Sequence, residues 1–153
     1  MSERFKPFAT VALIIEHEGR FLMVEEKNEF GATVFGMPSG HIDAKEGIIE
    51  AALREGYEET GCEIELKALT GIYDYVKDYE TIYRFCFSAT LKQVPETFKP
   101  HDPDGEILAV RFYTKEEVFN QKEAWRTRLV GLCMNDYLNH QAFPLSLIEK
   151  VVP

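Results

Sequence analysis

The run Gly40–Cys62, GHIDAKEGIIEAALREGYEETGC, constrains this chain more than any other, because apolar and acidic residues recur in it at helical spacing between glycines. At about 100° per residue, Ile48, Ile49, Ala52, Leu53, Gly56 and Tyr57 fall on one continuous arc. Glu55 and Glu58 project from another side, and Glu59 lies at the border. The helix is expected to begin near Ala44 to Glu46, with Asp43 as its cap, and to stop at Gly61. Such a helix presses one flank on a core and leaves a carboxylate cluster at the edge of that contact.

Acids on a solvated face mean little, since exposed like charges one turn apart cost only a few tenths of a kcal/mol. Partial burial changes the arithmetic: close like charges at an intermediate effective dielectric repel by roughly 4 kcal/mol. A bound cation removes that cost. Carboxylate oxygens that leave water positions open suit Mg²⁺ or Mn²⁺, which prefer hard ligands.

With these residues in place, the stretch resembles the Nudix box, GX5EX7REUXEEXGU, where U is a bulky aliphatic residue. Gly40, Glu46, Arg54, Glu55, Glu58, Glu59 and Gly61 stand in register. Gly56 departs from the pattern at a U position. A helix-interior glycine costs about 1 kcal/mol relative to alanine, which points to close backbone approach there. Cys62 fills the last U position as a small hydrophobe.

The resemblance implies an α/β fold, a Nudix-type α/β/α sandwich around a mixed β-sheet, and a hydrolase acting on phosphoanhydride bonds. It implies Mg²⁺, with Mn²⁺ able to substitute, held by Glu55, Glu58, Glu59 and the Gly40 carbonyl. It also implies that Arg54 orients Glu55 through an ion pair and that Glu46 organises the helix start and Arg54. The base that takes a proton from water is then Glu55 or Glu106; the family often places an extra glutamate just before the strand that follows the long loop, and Glu106 in DGEILAVRFYT matches that position.

The chain of 153 residues, 45% of them hydrophobic, is long enough for a core and short for two domains, so a single Nudix domain over 1–153 is expected. A net charge of −9 argues against a broad basic surface for nucleic acid. A polyphosphate substrate must therefore be paired with metal. The opening MSERFKPFAT lacks a basic segment followed by an apolar run, and no stretch reaches transmembrane length, so a cytoplasmic location without membrane association is expected. Cys62, Cys86 and Cys133, odd in number and in apolar surroundings, read as buried thiols.

Around the box, Phe8 to Glu26 reads as a β-hairpin turning at His17, Glu18 and Gly19. Arg20, Glu25 and Glu26 either face a ligand or are solvated strand charges. Glu63 to Tyr75 reads as a strand bent near Gly71, and TIYRFCFSATL as its return. Arg84 in that return strand either reaches a substrate phosphate or forms an ion pair on the sheet face. Phe30, Phe35, Tyr75 and Tyr79 either stack on a base or fill core and turn positions. KQVPETFKPHDPDGEI is a long loop, and His101, Asp102 and Asp104 have turn-capping as their ordinary role. After a strand at Leu108–Tyr113, Thr114 caps a short helix, and a second helix covers about Ala124 to Asn139.

FKPFATVALIIEHEGRFLMVEE and KPHDPDGEI also resemble the NudJ-type phosphatase branch. That resemblance implies release of phosphate from nucleoside tri- and diphosphates or from hydroxymethylpyrimidine pyrophosphate. The alternatives are a Nudix pyrophosphatase of other specificity, acting on an oxidised dNTP or on ADP-ribose, and a non-catalytic nucleotide sensor. The expected partner is a small phosphorylated molecule, and the expected state a monomer or homodimer.

Overall fold

The computed structural model describes residues 3–153. Its central strand is β1, Phe8–His17, in which Val11 to Ile15 are all buried. A continuous apolar run of this kind suits a strand covered on both faces. β1 runs parallel to β6, Thr81–Leu91, and antiparallel to β4, Ser39–His41. With both edges so occupied, it meets β2, Arg20–Lys27, only at Glu16–Phe21 and His17–Arg20. The expected hairpin is therefore only its own tip, turned by Glu18 and Gly19 with φ of 52° and 76°. Beyond it β2 diverges to pair with β3, Thr33–Gly36, and with β7, Ile107–Thr114.

The mixed sheet of seven strands runs β3-β2-β1-β6-β5, with β5 spanning Ile64–Val76, β4 against β1 and β7 against β2. β5 shifts register between Leu69 and Gly71, where the bend was expected. Alternate residues of β1 serve opposite faces. Val11, Leu13 and Ile15 pack with α1, Ile48–Thr60, and Ala12 and Ile14 pack with α3, Leu129–Leu138. This is the α/β/α arrangement that the resemblance implied. Between β7 and α3, Thr114 caps α2, Lys115–Phe119: its Oγ1 accepts from Glu117 N–H at 3.1 Å, and Glu117 Oε1 accepts from Thr114 N–H at 3.0 Å.

α1 begins later than expected. Lys45 at φ 66° and the Asp43 N–H bond to Glu46 Oε1 (3.0 Å) make residues 43–46 a turn, so Gly47 is the cap. The helix ends at Gly61, φ 76°, as read from the sequence. Its buried face is also narrower than expected: Leu53 and Tyr57 are 39% and 45% exposed. Tyr57 stacks on His101 with centroids 4.9 Å apart, and the buried positions go to Ala51, Ala52, Gly56, Glu59 and Thr60. Small residues let the helix axis approach the sheet. A Cβ on Gly56 would lie 2.6 Å from Ile64 Cγ1 and 2.7 Å from Leu13 Cδ1. Gly56→Val is accordingly expected to destabilise by about 2–3 kcal/mol through overpacking, lowering the thermal midpoint by about 4–12 °C. An unchanged midpoint in a melting experiment would contradict so close a contact.

The last helix also differs from expectation, starting at Leu129 instead of Ala124. Lys122–Ala124 form a single 3-10 turn, Trp125 is extended and bridged to Phe35, and Arg126 N–H donates to Phe35 O at 2.8 Å. The indole Nε1 is spent on Val118 O at 2.8 Å. These long-range ties keep residues 125–127 out of the helix. Cys62, Cys86 and Cys133 are free and buried. No helix among the described residues is long and apolar enough to cross a membrane.

Candidate active site

β4, α1, the end of β2, the loop before β7 and the turn before α3 converge on one cleft of about 430 Å³. α1 contributes Arg54, Glu55, Glu58 and Glu59, and β4 contributes Ser39, Gly40 and His41. Glu26, Arg126 and the segment from Asp102 to Ile107 complete the wall.

Arg54 is the hub of the acidic side. Its Nε and Nη2 meet Glu46 Oε2 and Oε1 at 2.6 and 3.0 Å, a two-pronged pairing that suits a planar guanidinium. Nη2 also donates to His41 O at 2.9 Å, and Nη1 to Glu55 Oε1 and Glu58 Oε2 at 2.9 and 3.0 Å. The Arg54 hydrogen bond holds the Glu46 carboxyl below the usual carboxylate range. Glu59 is only 8% exposed and takes the Ser39 N–H on Oε1 at 2.8 Å. Burial pushes its carboxyl up to about 7, against the pull of Arg126 and the Ser39 N–H. Burial likewise raises Glu55, with Arg54 opposing.

These residues fit a hard divalent cation in chemistry. Glu55, Glu58 and Glu59 each commit one oxygen to a protein donor, and the other has no hydrogen-bond partner among the described residues. A side chain on Gly40 would begin within 2.2–2.4 Å of the Glu55 carboxylate carbon and oxygens, so only glycine leaves that space open. The site is not pre-closed: as the side chains stand, no three His, Cys, Asp or Glu groups among the described residues are gathered tightly enough to hold an ion.

Of the residues selected from the sequence, Gly40, Arg54, Glu55, Glu58, Glu59 and Glu106 share the cleft wall, and Glu46 braces Arg54 beside it. Glu106 is exposed, and its N–H donates to Asp102 Oδ2 at 2.6 Å, so Asp102 shapes the loop as turn-forming aspartates do. Two substrate contacts suggested by the sequence do not survive. Arg20 pairs with Thr114 at the far end of β2, six residues from Glu26 and about 20 Å away along a strand. Phe35 is 2% exposed, its ring packed 4.7 Å from that of Tyr113 in the core, so neither face is free for a base. Phe30 and Tyr79 are exposed loop residues outside the cleft, and Tyr75 lines a separate depression between β5 and α3. Arg84 is buried on β6 and is not among the residues that line the cleft.

Sequence reasoning missed Arg126. Its Nη1 meets Glu26 Oε1 at 2.6 Å, and its Nη2 donates to Met37 O at 3.2 Å and to Ser39 Oγ. Nothing local in AWRTRLV marks the first of its two arginines for the cleft.

Fold and site together define a class. Residues 6–131 match the profile of the NUDIX domain, and the chain belongs to the Nudix hydrolase family, whose members generally use divalent metal ions. Within it, the chain is 36% identical over 145 residues to Phosphatase NudJ of Escherichia coli strain K12 and of Shigella flexneri, covering 94% of this chain and 92% of each relative. A solved NUDIX hydrolase from Nitrosomonas europaea superposes with a TM-score of 0.87 at 32% identity, covering 95% of this chain and 98% of that one.

Proposed function

We propose that this chain, as a single domain, is a Mg²⁺-dependent phosphohydrolase that releases phosphate from nucleoside tri- or diphosphates or from hydroxymethylpyrimidine pyrophosphate. The observation that supports this best is the set of three α1 carboxylates in the cleft, each anchored through one oxygen with the other unpaired among the described residues, and Glu55 lying against Gly40. Likeness to the NudJ phosphatases supports the phosphatase reading over other Nudix specificities.

Glu55, Glu58, Glu59 and the Gly40 carbonyl would hold the ion. Bound there, it neutralises phosphate charge and lowers the pKa of an attacking water. Arg54 fixes Glu55 and Glu58 against rotation, and Glu46 fixes Arg54. Glu55, or Glu106 from the facing loop, accepts the water proton. Because Arg54 makes one bond to each of Glu55 and Glu58, it restrains them without consuming their second oxygens.

The test is product identification. The purified protein with Mg²⁺ is offered ATP, ADP, hydroxymethylpyrimidine pyrophosphate, an oxidised dGTP and ADP-ribose. Orthophosphate as the released group is the expected result. Pyrophosphate from the triphosphates, or turnover confined to ADP-ribose, would replace this reading with another Nudix specificity.

A further inference from the structure

Arg84 is 9% exposed at the middle of the sheet, yet no carboxylate among the described residues forms an ion pair with it. Its only hydrogen bond is from Nε to Thr10 Oγ1 at 3.2 Å, so the two terminal nitrogens of the guanidinium have no partner among the described residues. Those nitrogens are not sealed from solvent, but a mostly buried guanidinium without a carboxylate partner is costly and is normally retained only where something pairs with it. Burial and the repulsion of Arg126 both hold Arg84's affinity for its proton below that of an ordinary arginine. Glu59 attracts it, but less than Arg126 repels it.

The strand register locates the unpaired end. Arg84 on β6 lies opposite Thr10 on β1, which lies opposite His41 on β4, and His41 lines the cleft. The bond to Thr10 therefore draws the side chain across β1 toward β4. Two residues along, Ser39 on β4 carries the Arg126 guanidinium. Two cations thus stand close enough to repel each other, and among the described residues Glu26 is the only side-chain carboxylate hydrogen-bonded to either.

We propose that Arg84 and Arg126 form an oxyanion site for a phosphate group of the substrate, on the side of the cleft opposite the α1 carboxylates. The phosphoanhydride chain then spans from the acidic wall to the guanidinium pair, and the phosphate supplies the negative charge that Arg84 lacks. Planar guanidinium forks suit such oxygens better than ammonium groups do. The inference rests on the reading of this chain as a phosphoanhydride hydrolase, but it is tested without turnover.

Metal-free protein is titrated with inorganic phosphate at constant ionic strength, and the dissociation constant is taken from the rise in unfolding midpoint. Arg84→Met keeps length and burial while removing the charge. It is expected to weaken phosphate binding at least tenfold, and to unfold without phosphate at the wild-type temperature or above it. A merely structural arginine predicts the opposite: wild-type phosphate binding and a lower midpoint. Either of those results overturns the inference. Should Arg84→Met fail to fold, Arg84→Lys is read in the same titration, and wild-type affinity there also overturns it. In steady state with Mg²⁺, Arg84→Met is expected to raise KM at least tenfold. Turnover of nucleotides by wild-type protein together with Arg84-independent phosphate binding would sink the oxyanion site alone. Arg84-dependent phosphate binding without any phosphoanhydride cleavage would sink the proposed activity alone.

Discussion

Glu58→Gln is expected to reduce kcat with Mg²⁺ by about 100- to 1,000-fold, the usual scale for removing one preorganised electrostatic group. The substitution isolates charge from shape. Glu58 Oε2 accepts from Arg54 Nη1 at 3.0 Å, and a glutamine oxygen accepts the same bond. As a partly exposed i,i+4 pair, Glu58 and Arg54 contribute about 0.3–0.5 kcal/mol, so the midpoint should move by no more than about 2 °C. Glu50→Gln is the control. It lies two turns earlier on α1, outside the cleft, and pairs with Lys150 near the C-terminus. Phosphate release and thermal melting of both variants settle the point. A loss in Glu58→Gln of less than about threefold, or an equal loss in Glu50→Gln, would remove the basis for assigning the metal to these acids.

That assignment draws on the part of the molecule most readable from its residues. The i, i+3 and i+4 relations among Arg54, Glu55, Glu58 and Glu59 are local, so helical geometry alone puts them on one side of α1. The close packing of Gly56 was legible for a similar reason: a glycine amid good helix formers costs stability unless something approaches it. What lay beyond reach was set by pairings across the chain. Arg126 meets Glu26 over a separation of 100 positions. Nothing in the spacing of β1 residues announces that β4 and β6 take both its edges, which limits the hairpin to its tip. Phe35 and Arg20 illustrate the same gap from the other side. Alternation tells that a strand residue faces one way or the other, but only the register of β2 with β3 and β7 decides which end of the sheet it occupies. Arg84 shows what burial adds: its reading as an ion pair on the sheet face fails because the side chain is buried at 9% exposure with no carboxylate paired to it among the described residues.

The strongest consequence of that burial for stability falls on Glu59. Its carboxyl rises from the ordinary 4.5 to about 7 in the folded chain, so the folded state disfavours the ionised form. Below pH 4.5 the group is neutral in both folded and unfolded chains and contributes no penalty. As pH climbs toward 7 the unfolded chain ionises first, and folding stability falls by about 3 kcal/mol, reaching its full loss above 7. Glu55, raised by burial, acts in the same direction, whereas Glu46, lowered by Arg54, stabilises above its unfolded value and loses that contribution in acid. The difference between wild type and Glu59→Gln separates Glu59 from the rest. Glutamine keeps an acceptor for the Ser39 N–H, which Glu59 receives at 2.8 Å, without the buried charge. In the presence of EDTA, the variant is therefore expected to melt about 6–12 °C above wild type at pH 8 and together with it at pH 4. Adding Mg²⁺ should raise the wild-type midpoint at pH 8 and leave Glu59→Gln nearly unmoved, while the variant loses turnover. A gap that persists at pH 4, or a variant that melts below wild type at pH 8, would mean that the Glu59 charge is already balanced inside the folded protein. The cleft would then have no electrostatic demand for a cation at that position.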